Sequence, residues 1–248
     1  MKIIPLSEGA FTVDQSKQFV PFNLTDDNLQ QRSAGSLLVE IQPFVVVTSK
    51  DVLLIDAGLG FAGADGTLQL HQNLISHDID PSGITKVLMS HLHKDHAGGV
   101  SINDTILNQR FLSFPHATYY VQEQELSFAL QKGTPSYIPD EIDILQQAGN
   151  VHFLQGNGII DNYIHYEVTG GHSPWHQVFR IEENGETIFY GADDAPQLHQ
   201  MKSRFVTKYD YDGKKCMELR QQWWQQGREE KWTFLFYHDV KNPVWRFT

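Results

Sequence analysis

Short apolar runs alternate with polar segments along the first half of the chain. Runs rich in leucine, isoleucine and valine over residues 36–41, 44–47 and 51–56 predict three strands. Apolar residues recur at helical spacing over residues 67–78, which predicts an amphipathic helix. Residues 86–90 contain the run Val-Leu-Met, typical of a buried strand. The first half is therefore expected to combine strands with helices.

The second half of the chain repeats this alternation. Its predicted elements are strands at residues 119–121, 164–168, 177–181, 187–190 and 233–237, and helices at residues 122–131 and 214–226. Residues 183–186, Glu-Asn-Gly-Glu, have the composition of a hairpin turn, so the strands on either side are expected to be antiparallel. Strands and helices in both halves predict an α+β fold in which two β-sheets pack face to face with helices outside.

Length and composition are those of a globular domain. The chain has 248 residues, and no linker, repeat or compositional boundary divides it, so residues 1–248 are expected to form a single domain. No apolar stretch approaches the roughly 20 residues that span a bilayer, and the N-terminus turns polar at Ser7, too early for a secretory signal. Cys216 is the single cysteine, which excludes an internal disulfide and favours a cytoplasmic location.

The charge of the chain bears on its partners. Its formal net charge is −11, whereas nucleic-acid-binding proteins concentrate lysine and arginine on one face. The densest basic stretch runs from Lys202 to Arg220 and is interrupted by Asp210 and Asp212. We interpret this stretch as a solvated loop and helix face. The expected partner is a small molecule, with no nucleic acid and no membrane.

Three histidines and an aspartate lie within six positions, directly after the predicted strand at residues 86–90. Residues 91–96 read His-Leu-His-Lys-Asp-His, and the small residues Ala-Gly-Gly follow. Imidazole and carboxylate donors at this spacing suit Zn²⁺ and similar divalent ions, and the small residues allow the backbone to curve around a cation. The chain has 12 histidines, so chance would rarely place three so close together. The segment therefore predicts a metal site.

Later strand ends supply further candidate ligands. His172 follows two glycines after the strand at residues 164–168, and those glycines permit a tight turn. Asp193 follows the strand at residues 187–190, and His238 follows the last predicted strand. Each residue alone is compatible with an ordinary structural role, but their common position after strands favours a joint one.

These positions together resemble the metallo-β-lactamase superfamily, in particular its hydrolase branch with a histidine-rich two-metal centre. The resemblance extends from about Leu53 to His238. The motif His-x-His-x-Asp-His at residues 91–96 is its most specific part, and residues 171–176, Gly-His-Ser-Pro-Trp-His, are similar to those of the acyl-homoserine-lactone lactonases. The fold implied by the resemblance is a four-layer αββα sandwich of two mixed sheets flanked by helices.

The resemblance also implies how the ligands are divided between two metal ions. The first ion would be held by His91, His93 and His172, and the second by Asp95, His96 and His238. Asp193 would bridge the two ions, and we prefer it to its neighbour Asp194 because it follows Gly-Ala as in the family. Asp56, at a strand end, matches a family acid that orients a ligand imidazole from behind, although capping of the following turn is an alternative. His176 is interpreted as structural or as supporting a ligand.

The implied chemistry is hydrolysis by a hydroxide that bridges two divalent ions, with Zn²⁺ expected and Fe or Mn as alternatives. Metal binding lowers the pKa of water from about 15.7 towards about 7, so hydroxide forms at neutral pH. Asp95 and Asp193 are the predicted catalytic residues, because either carboxylate is able to pass a proton to the leaving group. The expected substrate is a small ester, a lactone or a related compound.

Two other functions remain open at this stage. The same metal centre supports phosphodiesterase or ribonuclease activity in this superfamily, and a non-catalytic metal-binding module is the third reading. The lactonases carry a substrate-facing tyrosine shortly after the bridging aspartate, where this chain has Asp194-Ala195-Pro196. Four tyrosines are candidates to replace it: Tyr190, Tyr209, Tyr211 and Tyr237.

Overall fold

The computed structural model describes residues 1–104 and 109–247. Its strands are β1 (Lys2–Pro5), β2 (Gly9–Val13), β3 (Phe19–Pro21), β4 (Leu37–Ile41), β5 (Phe44–Val47), β6 (Val52–Ile55), β7 (Lys86–Leu88), β8 (Ser101–Asp104), β9 (Gln109–Leu112), β10 (Thr118–Gln122), β11 (Val151–Leu154), β12 (Gly158–Ile160), β13 (Ile164–Val168), β14 (Gln177–Glu183), β15 (Glu186–Tyr190), β16 (Thr233–Leu235) and β17 (Val244–Arg246).

The helices are short, except for the last one. The α-helices are α1 (Gln69–Ser76), α2 (Lys94–Ala97), α3 (Glu123–Lys132), α4 (Pro139–Ile142), α5 (Leu198–Met201) and α6 (Gly213–Glu229). Single 3-10 turns lie at Leu29–Gln31, Pro81–Gly83, Gly98–Val100, Asp143–Gln146 and Ala192–Asp194. Among the helices of the described residues, none is long and apolar enough to cross a bilayer.

Two six-stranded mixed sheets form the centre of the molecule. The first has the order β1-β5-β6-β7-β10-β11, with parallel pairing from β6 to β11. The second has the order β12-β13-β14-β15-β16-β17, in which only β15 and β16 are parallel. Together with the flanking helices, these sheets confirm the predicted α+β fold of two mixed sheets packed face to face.

Three apolar layers hold the sheets and helices together. Successive residues of β6 show how: Leu54 packs into the layer beneath α1 and α3, whereas Leu53 and Ile55 pack into the layer between the two sheets. Phe189 of β15 packs towards α6, and its neighbour Tyr190 faces the other sheet. Alternation across the sheet explains why β6 is apolar at every position and β15 at its last three, since both faces are buried there.

Several short strands of the structure were not predicted from the sequence, namely β1, β2, β3, β8, β9, β11, β12 and β17. A three-stranded antiparallel sheet, β3-β2-β4, includes the predicted strand at residues 36–41, and its partners β2 and β3 were not predicted. These partners contain Gly9 and Pro21 and are only partly buried, so they lack a strong apolar pattern. Helix α6 extends beyond the predicted residues 214–226 to Gly213–Glu229, and Asp212 caps its first turn by accepting a hydrogen bond from the Lys215 N–H.

The strands of both sheets direct their following loops towards one place. Asp56 follows β6, the segment at residues 91–96 follows β7, and Asp193 follows β15. Asp56 adopts a φ of 56°, a left-handed conformation that turns the chain sharply at the end of its strand. The carboxyl ends of neighbouring parallel strands lie at the same sheet edge, so polar residues of distant segments meet there.

Candidate metal centre

The residues predicted to bind metal are brought together by the fold. Each offers one donor atom, and within each of two groups these atoms lie within 4.8 Å of one another. The first group is His91, His93, His172 and Asp193, and the second is Asp95, His96 and His238. The two groups combine donors from loops after both sheets, so neither sheet alone carries a complete set.

Asp193 lies between the two groups. Its Oδ1 is 3.1 Å from Nε2 of His96 and 3.0 Å from Nε2 of His238. Its Oδ2 is 3.1 Å from Nε2 of His172 and 4.0 Å from Nε2 of His91. One carboxylate oxygen therefore faces each group of imidazoles.

Asp194 faces away from these histidines. Its Oδ1 accepts a hydrogen bond from the backbone N–H of His172 at 2.7 Å, and its Oδ2 is 3.1 Å from Nδ1 of His176. The two aspartates belong to the 3-10 turn Ala192–Asp194, in which successive side chains diverge by about a third of a turn. Asp193 is therefore placed to act on the candidate metal centre, while Asp194 and His176 support the loop that carries His172.

Three histidines are held from behind at Nδ1, so that Nε2 is presented to the centre. Nδ1 of His96 is 2.8 Å from Oδ2 of Asp56, and Nδ1 of His172 is 2.8 Å from Oδ1 of Asp210. Nδ1 of His238 is 2.7 Å from the backbone carbonyl oxygen of Glu40. Because a carboxylate or carbonyl only accepts, each Nδ1 carries the hydrogen and each Nε2 keeps a lone pair for a cation.

Asp56 organises a small buried network behind the centre. It accepts hydrogen bonds from the backbone N–H and the hydroxyl of Ser90 at 2.7 and 2.6 Å, and from the hydroxyl of Tyr190 at 2.5 Å. The Ser90 hydroxyl also lies 3.0 Å from Nδ1 of His91. Since Ser90 donates to Asp56, its oxygen accepts from His91, which leaves Nε2 of His91 available as a donor atom for metal.

The donor set fits divalent cations. Nε2 of His91 and Nε2 of His172 each lie 3.0 Å from Nδ1 of His93, so three imidazole nitrogens converge on one point. Nε2 of His96 and Oδ1 of Asp193 are buried and lack a hydrogen-bond partner among the described residues. Converging lone pairs repel one another unless a proton or a cation lies between them, and imidazole with carboxylate suits zinc and related ions.

Electrostatic effects in this cluster are strong and run in opposite directions. Burial, with further effect from the charges of His96 and His93, lowers the pKa of His91 well below its ordinary value. Burial alone would raise the pKa of Asp193, but the electrostatic effect of the neighbouring His238, His96 and His172 outweighs it and holds that pKa well below the usual range. A neutral imidazole and an ionised carboxylate are the forms in which these groups bind metal.

Two supporting carboxylates were not identified from the sequence. Asp210, whose side chain is almost fully buried, contacts His172 as described above, although the sequence suggested only an interruption of a basic stretch. Glu125 accepts from the backbone N–H of Leu92 and from the hydroxyl of Ser173, each at 3.1 Å, and so joins the two loops that carry the first group. Each of these carboxylates contacts partners that are more than 30 positions away in the sequence. No local sequence pattern therefore links them to the candidate metal centre.

The basic stretch is solvated as interpreted at its lysines and at Arg204, and the interpretation was wrong only for Arg220. Arg220 is buried rather than solvated, and its guanidinium donates to the backbone carbonyl oxygens of Asp194, at 2.7 Å, and Phe205. It therefore fixes the segment after Asp193 against α6. A buried arginine is compatible with folding here because its donors meet backbone acceptors.

The four candidate tyrosines differ in burial and in their position relative to the cleft. Tyr190 and Tyr237 are fully buried, and their hydroxyls donate to Asp56 and to the backbone carbonyl oxygen of Asp95, respectively. Tyr211 is 72% exposed. Tyr209 alone of the four borders the cleft beside the candidate metal centre, and its hydroxyl oxygen is buried without a partner in the described part of the chain.

That cleft is bounded by both groups of donors and by a mostly apolar wall. The donors that border it are His93, Asp95, His172, Asp193 and His238. The apolar wall consists of Val13, Phe19, Leu37, Val39 and Phe205. Lys17 and Lys94 are its two lysines, and their ammonium groups lie over the rings of Tyr209 and Phe19. A small, largely apolar molecule is able to reach the candidate metal centre through this cleft.

The chain belongs to the metallo-β-lactamase superfamily, whose family profile matches residues 41–194. Among curated proteins it is similar to the N-acyl homoserine lactonase AttM of Agrobacterium fabrum, with 32% identity over 142 residues, which is 50% of this chain and 46% of that protein. It is also similar to the AttM of Azorhizobium caulinodans, with 31% identity over 128 residues, covering 44% of this chain and 41% of that protein. The matched regions span less than half the length of these relatives.

Solved structures share the fold over nearly the whole chain. A probable metal-dependent hydrolase from Staphylococcus aureus is similar with a TM-score of 0.79 and 21% identity, covering 99% of this chain and 91% of that one. AidC, a dizinc quorum-quenching lactonase solved with a product, is similar with a TM-score of 0.69 and 20% identity, covering 98% and 88%. These similarities confirm the predicted metallo-β-lactamase fold.

Proposed function

We propose that the protein is a binuclear metal-dependent hydrolase that cleaves a small ester or lactone. The observation that carries this proposal is the position of Asp193, whose two carboxylate oxygens face different groups of imidazoles at 3.0–3.1 Å. A carboxylate in this position is suited to bridge two cations. His91, His93 and His172 would hold one cation, and Asp95, His96 and His238 the other.

Bound divalent cations, Zn²⁺ in our proposal with Fe or Mn as alternatives, would supply Lewis acidity and lower the pKa of water towards about 7. Asp95 is the proposed proton carrier, because its carboxylate borders the cleft and lies 3.5 Å from Nε2 of His238. Water adds to the acyl carbon and gives up a proton to the Asp95 carboxylate, the bond between that carbon and the leaving oxygen breaks, and the leaving oxygen takes that proton from Asp95. No serine or cysteine nucleophile is required.

The character of the cleft supports the substrate class. Its wall is mainly apolar, which suits a small organic acyl compound better than a polyanion. The net charge of −11 opposes the binding of nucleic acid. Similarity to lactonases over part of their length points the same way. The lactonases carry a substrate-facing tyrosine shortly after the bridging aspartate, and this chain does not. We propose that the hydroxyl of Tyr209 faces the substrate instead.

A metal-reconstitution experiment tests the proposed function. The protein is stripped with a chelator, reloaded with Zn²⁺, Mn²⁺ or Fe²⁺, and assayed on a lactone, an aryl ester and a phosphodiester. We expect activity on the lactone or ester that is lost on chelation and restored by metal. Asp95→Ala should lower kcat by at least about 100-fold, the scale of a general acid, while circular dichroism stays unchanged.

The matched control is Asp140→Asn, which neutralises an exposed carboxylate of α4. It should leave the activity as in the wild type. Turnover of the phosphodiester alone would replace our proposal with a phosphodiesterase. Metal binding without any turnover would favour a non-catalytic module, and full activity of Asp95→Ala would exclude the proton carrier proposed above.

We further propose that residues 1–248 act as one cytoplasmic domain. The apolar layer between the two sheets contains residues from both halves of the chain, including Phe44 and Phe179, so the halves share one core. The single cysteine, Cys216, is buried and fits a reducing compartment. Limited proteolysis tests the first part of this proposal, because a single domain is expected to resist cleavage between the halves.

A further inference from the structure

A second depression adjoins the cleft, and we name it the distal groove. The residues that line both spaces are Leu37, Gln197, Gln200 and Phe205. The charged or titratable residues that line the distal groove are Arg32, His199, Lys202, Asp239 and Lys241. Because four residues line both spaces, the cleft and the distal groove lie side by side.

The distal groove is cationic, although the chain as a whole carries a net charge of −11. Arg32, Lys202 and Lys241 stand against one carboxylate, that of Asp239. The oxygens of Asp239 already accept three backbone N–H groups at 2.8–2.9 Å. Within residues 1–104 and 109–247, the ion pairs made by lysine and arginine include neither Arg32 nor Lys241. Their charges are therefore available to an anion.

Gln200, which lines both the cleft and the distal groove, carries a buried acceptor. Gln200 is only 5% exposed, and its Oε1 is buried without a hydrogen-bond partner in the described segments. Its orientation is fixed by its neighbour: Nε2 of Gln197 donates to the carbonyl oxygens of Leu38 and His238, so Oε1 of Gln197 must accept from Nε2 of Gln200. Oε1 of Gln200 is thus left to accept from a ligand, since a buried acceptor without a partner is costly.

We propose that the distal groove is a second subsite, which binds the carboxylate end of an elongated ester substrate while Gln200 accepts a hydrogen bond from an N–H of the same substrate. This proposal rests on the hydrolase function proposed above and narrows its substrate class. The scissile ester lies at the candidate metal centre, the amide N–H passes Gln200, and the carboxylate reaches Arg32 and Lys241. A guanidinium matches a carboxylate in a forked geometry, which gives Arg32 the larger part in recognition.

Two matched probes test the charge preference. The first is the para-nitrophenyl ester of N-succinyl-β-alanine, which ends in a carboxylate, and the second ends in a neutral carboxamide instead. We expect the wild-type holoenzyme to show the lower KM for the carboxylate probe. The double variant Arg32→Gln/Lys241→Gln should raise that KM about fivefold or more, as expected for two partly exposed ion pairs, and leave the KM of the carboxamide probe unchanged.

The control is Lys50→Gln/Arg228→Gln, which removes the same charge from exposed positions outside the distal groove. It should leave both KM values unchanged. An equal effect of the groove variant and this control, or no preference of the wild type between the probes, would overturn the proposal. Equilibrium binding of the corresponding para-nitroanilides separates this outcome from failure of the proposed function, because binding is measurable even if no ester is hydrolysed.

A third probe, with a methylene in place of the amide N–H, tests Gln200. The wild type should bind it about five- to tenfold more weakly than the amide probe, since it leaves Oε1 of Gln200 without a partner. Gln200→Leu should remove this difference. If Gln200→Leu keeps the preference for the amide probe, Gln200 does not read the N–H group.

Discussion

The imidazole of His172 depends on a carboxylate that no motif identifies. Oδ1 of Asp210 lies 2.8 Å from its Nδ1 and fixes the tautomer that presents Nε2 to the centre. Asp210→Ala should weaken metal binding about 10- to 100-fold, the usual effect of losing a carboxylate behind a ligand histidine. Competition with a chromogenic chelator measures this loss. Asp210→Asn retains an acceptor and should recover most of the affinity, whereas equal affinity of Asp210→Ala and wild type would contradict the role.

Glu8 is a buried acid outside the candidate metal centre. Burial raises its pKa to about 7, and the hydrogen bond from the Leu59 N–H offsets this only in part. Below the unfolded pKa of 4.5, the carboxyl is neutral in both the folded and the unfolded state. As the pH rises from 4.5 through about 7, the unfolded state ionises more readily than the folded state, so the free energy of unfolding falls.

Glu8→Gln should therefore stabilise the protein at high pH. We expect its free energy of unfolding, relative to wild type, to increase by about 2–3 kcal/mol between about pH 4.5 and about pH 8.5. Urea denaturation at both pH values measures the change. A difference between the proteins that is independent of pH would show that Glu8 does not titrate on folding in this range.

At the scale of elements, the loop after β6 and the segment carrying His96 are in close backbone contact. A Cβ at Gly98 would lie 2.3 Å from the carbonyl oxygen of Leu59, and the N–H of Gly98 donates to the carbonyl of Gly58 at 2.9 Å. The φ of Gly98 is −59°, which alanine adopts freely, so only the close approach requires glycine here.

Gly98→Ala should lower the free energy of unfolding by about 1–3 kcal/mol, because the added methyl meets backbone that cannot move aside cheaply. The control is Gly83→Ala, where a Cβ would meet open space, and its effect should stay within about 0.5 kcal/mol. Chemical denaturation of both variants measures the difference. Equal effects of the two substitutions would mean that the loop relaxes around the new methyl.

Elements with a strong apolar period were predictable from the sequence, and those without it were not. Strand β6 and the C-terminal parts of β7 and β15 are apolar because both faces are buried there, and the turn between β14 and β15 carries its own signal in Asn-Gly. The partly buried strands β2 and β3 and the contact of Asp210 with His172 lack such signals. They depend on tertiary packing, which local patterns do not encode.

The candidate metal ligands also differ in how far the sequence alone identifies them. Residues 91–96 are contiguous, so their common role is visible in the sequence. His172, Asp193 and His238 were linked to them only through strand ends and a family resemblance, and the structure brings all of them together. The tyrosine that borders the cleft was one of four candidates, because the direction of a side chain from a loop is set by its neighbours and not by its type.

At the scale of the whole molecule, the candidate metal centre joins loops of both sheets. Metal should therefore stabilise the fold: a ligand at about 1,000 times its Kd adds about 4 kcal/mol to the free energy of unfolding. We expect chelation to lower the Tm clearly in wild type and only slightly in Asp193→Ala. Calorimetry of metal-loaded and chelated protein measures this, and identical Tm values for the two wild-type forms would contradict a metal that links the sheets.

The number of metal ions per chain tests the central claim most directly. Protein loaded with excess Zn²⁺ and dialysed against metal-free buffer is analysed for zinc and protein in the same sample. The account predicts two equivalents per chain in wild type and one or fewer in Asp193→Ala, because that carboxylate faces both groups of imidazoles. No retained zinc in wild type, or an unchanged two equivalents in Asp193→Ala, would contradict it.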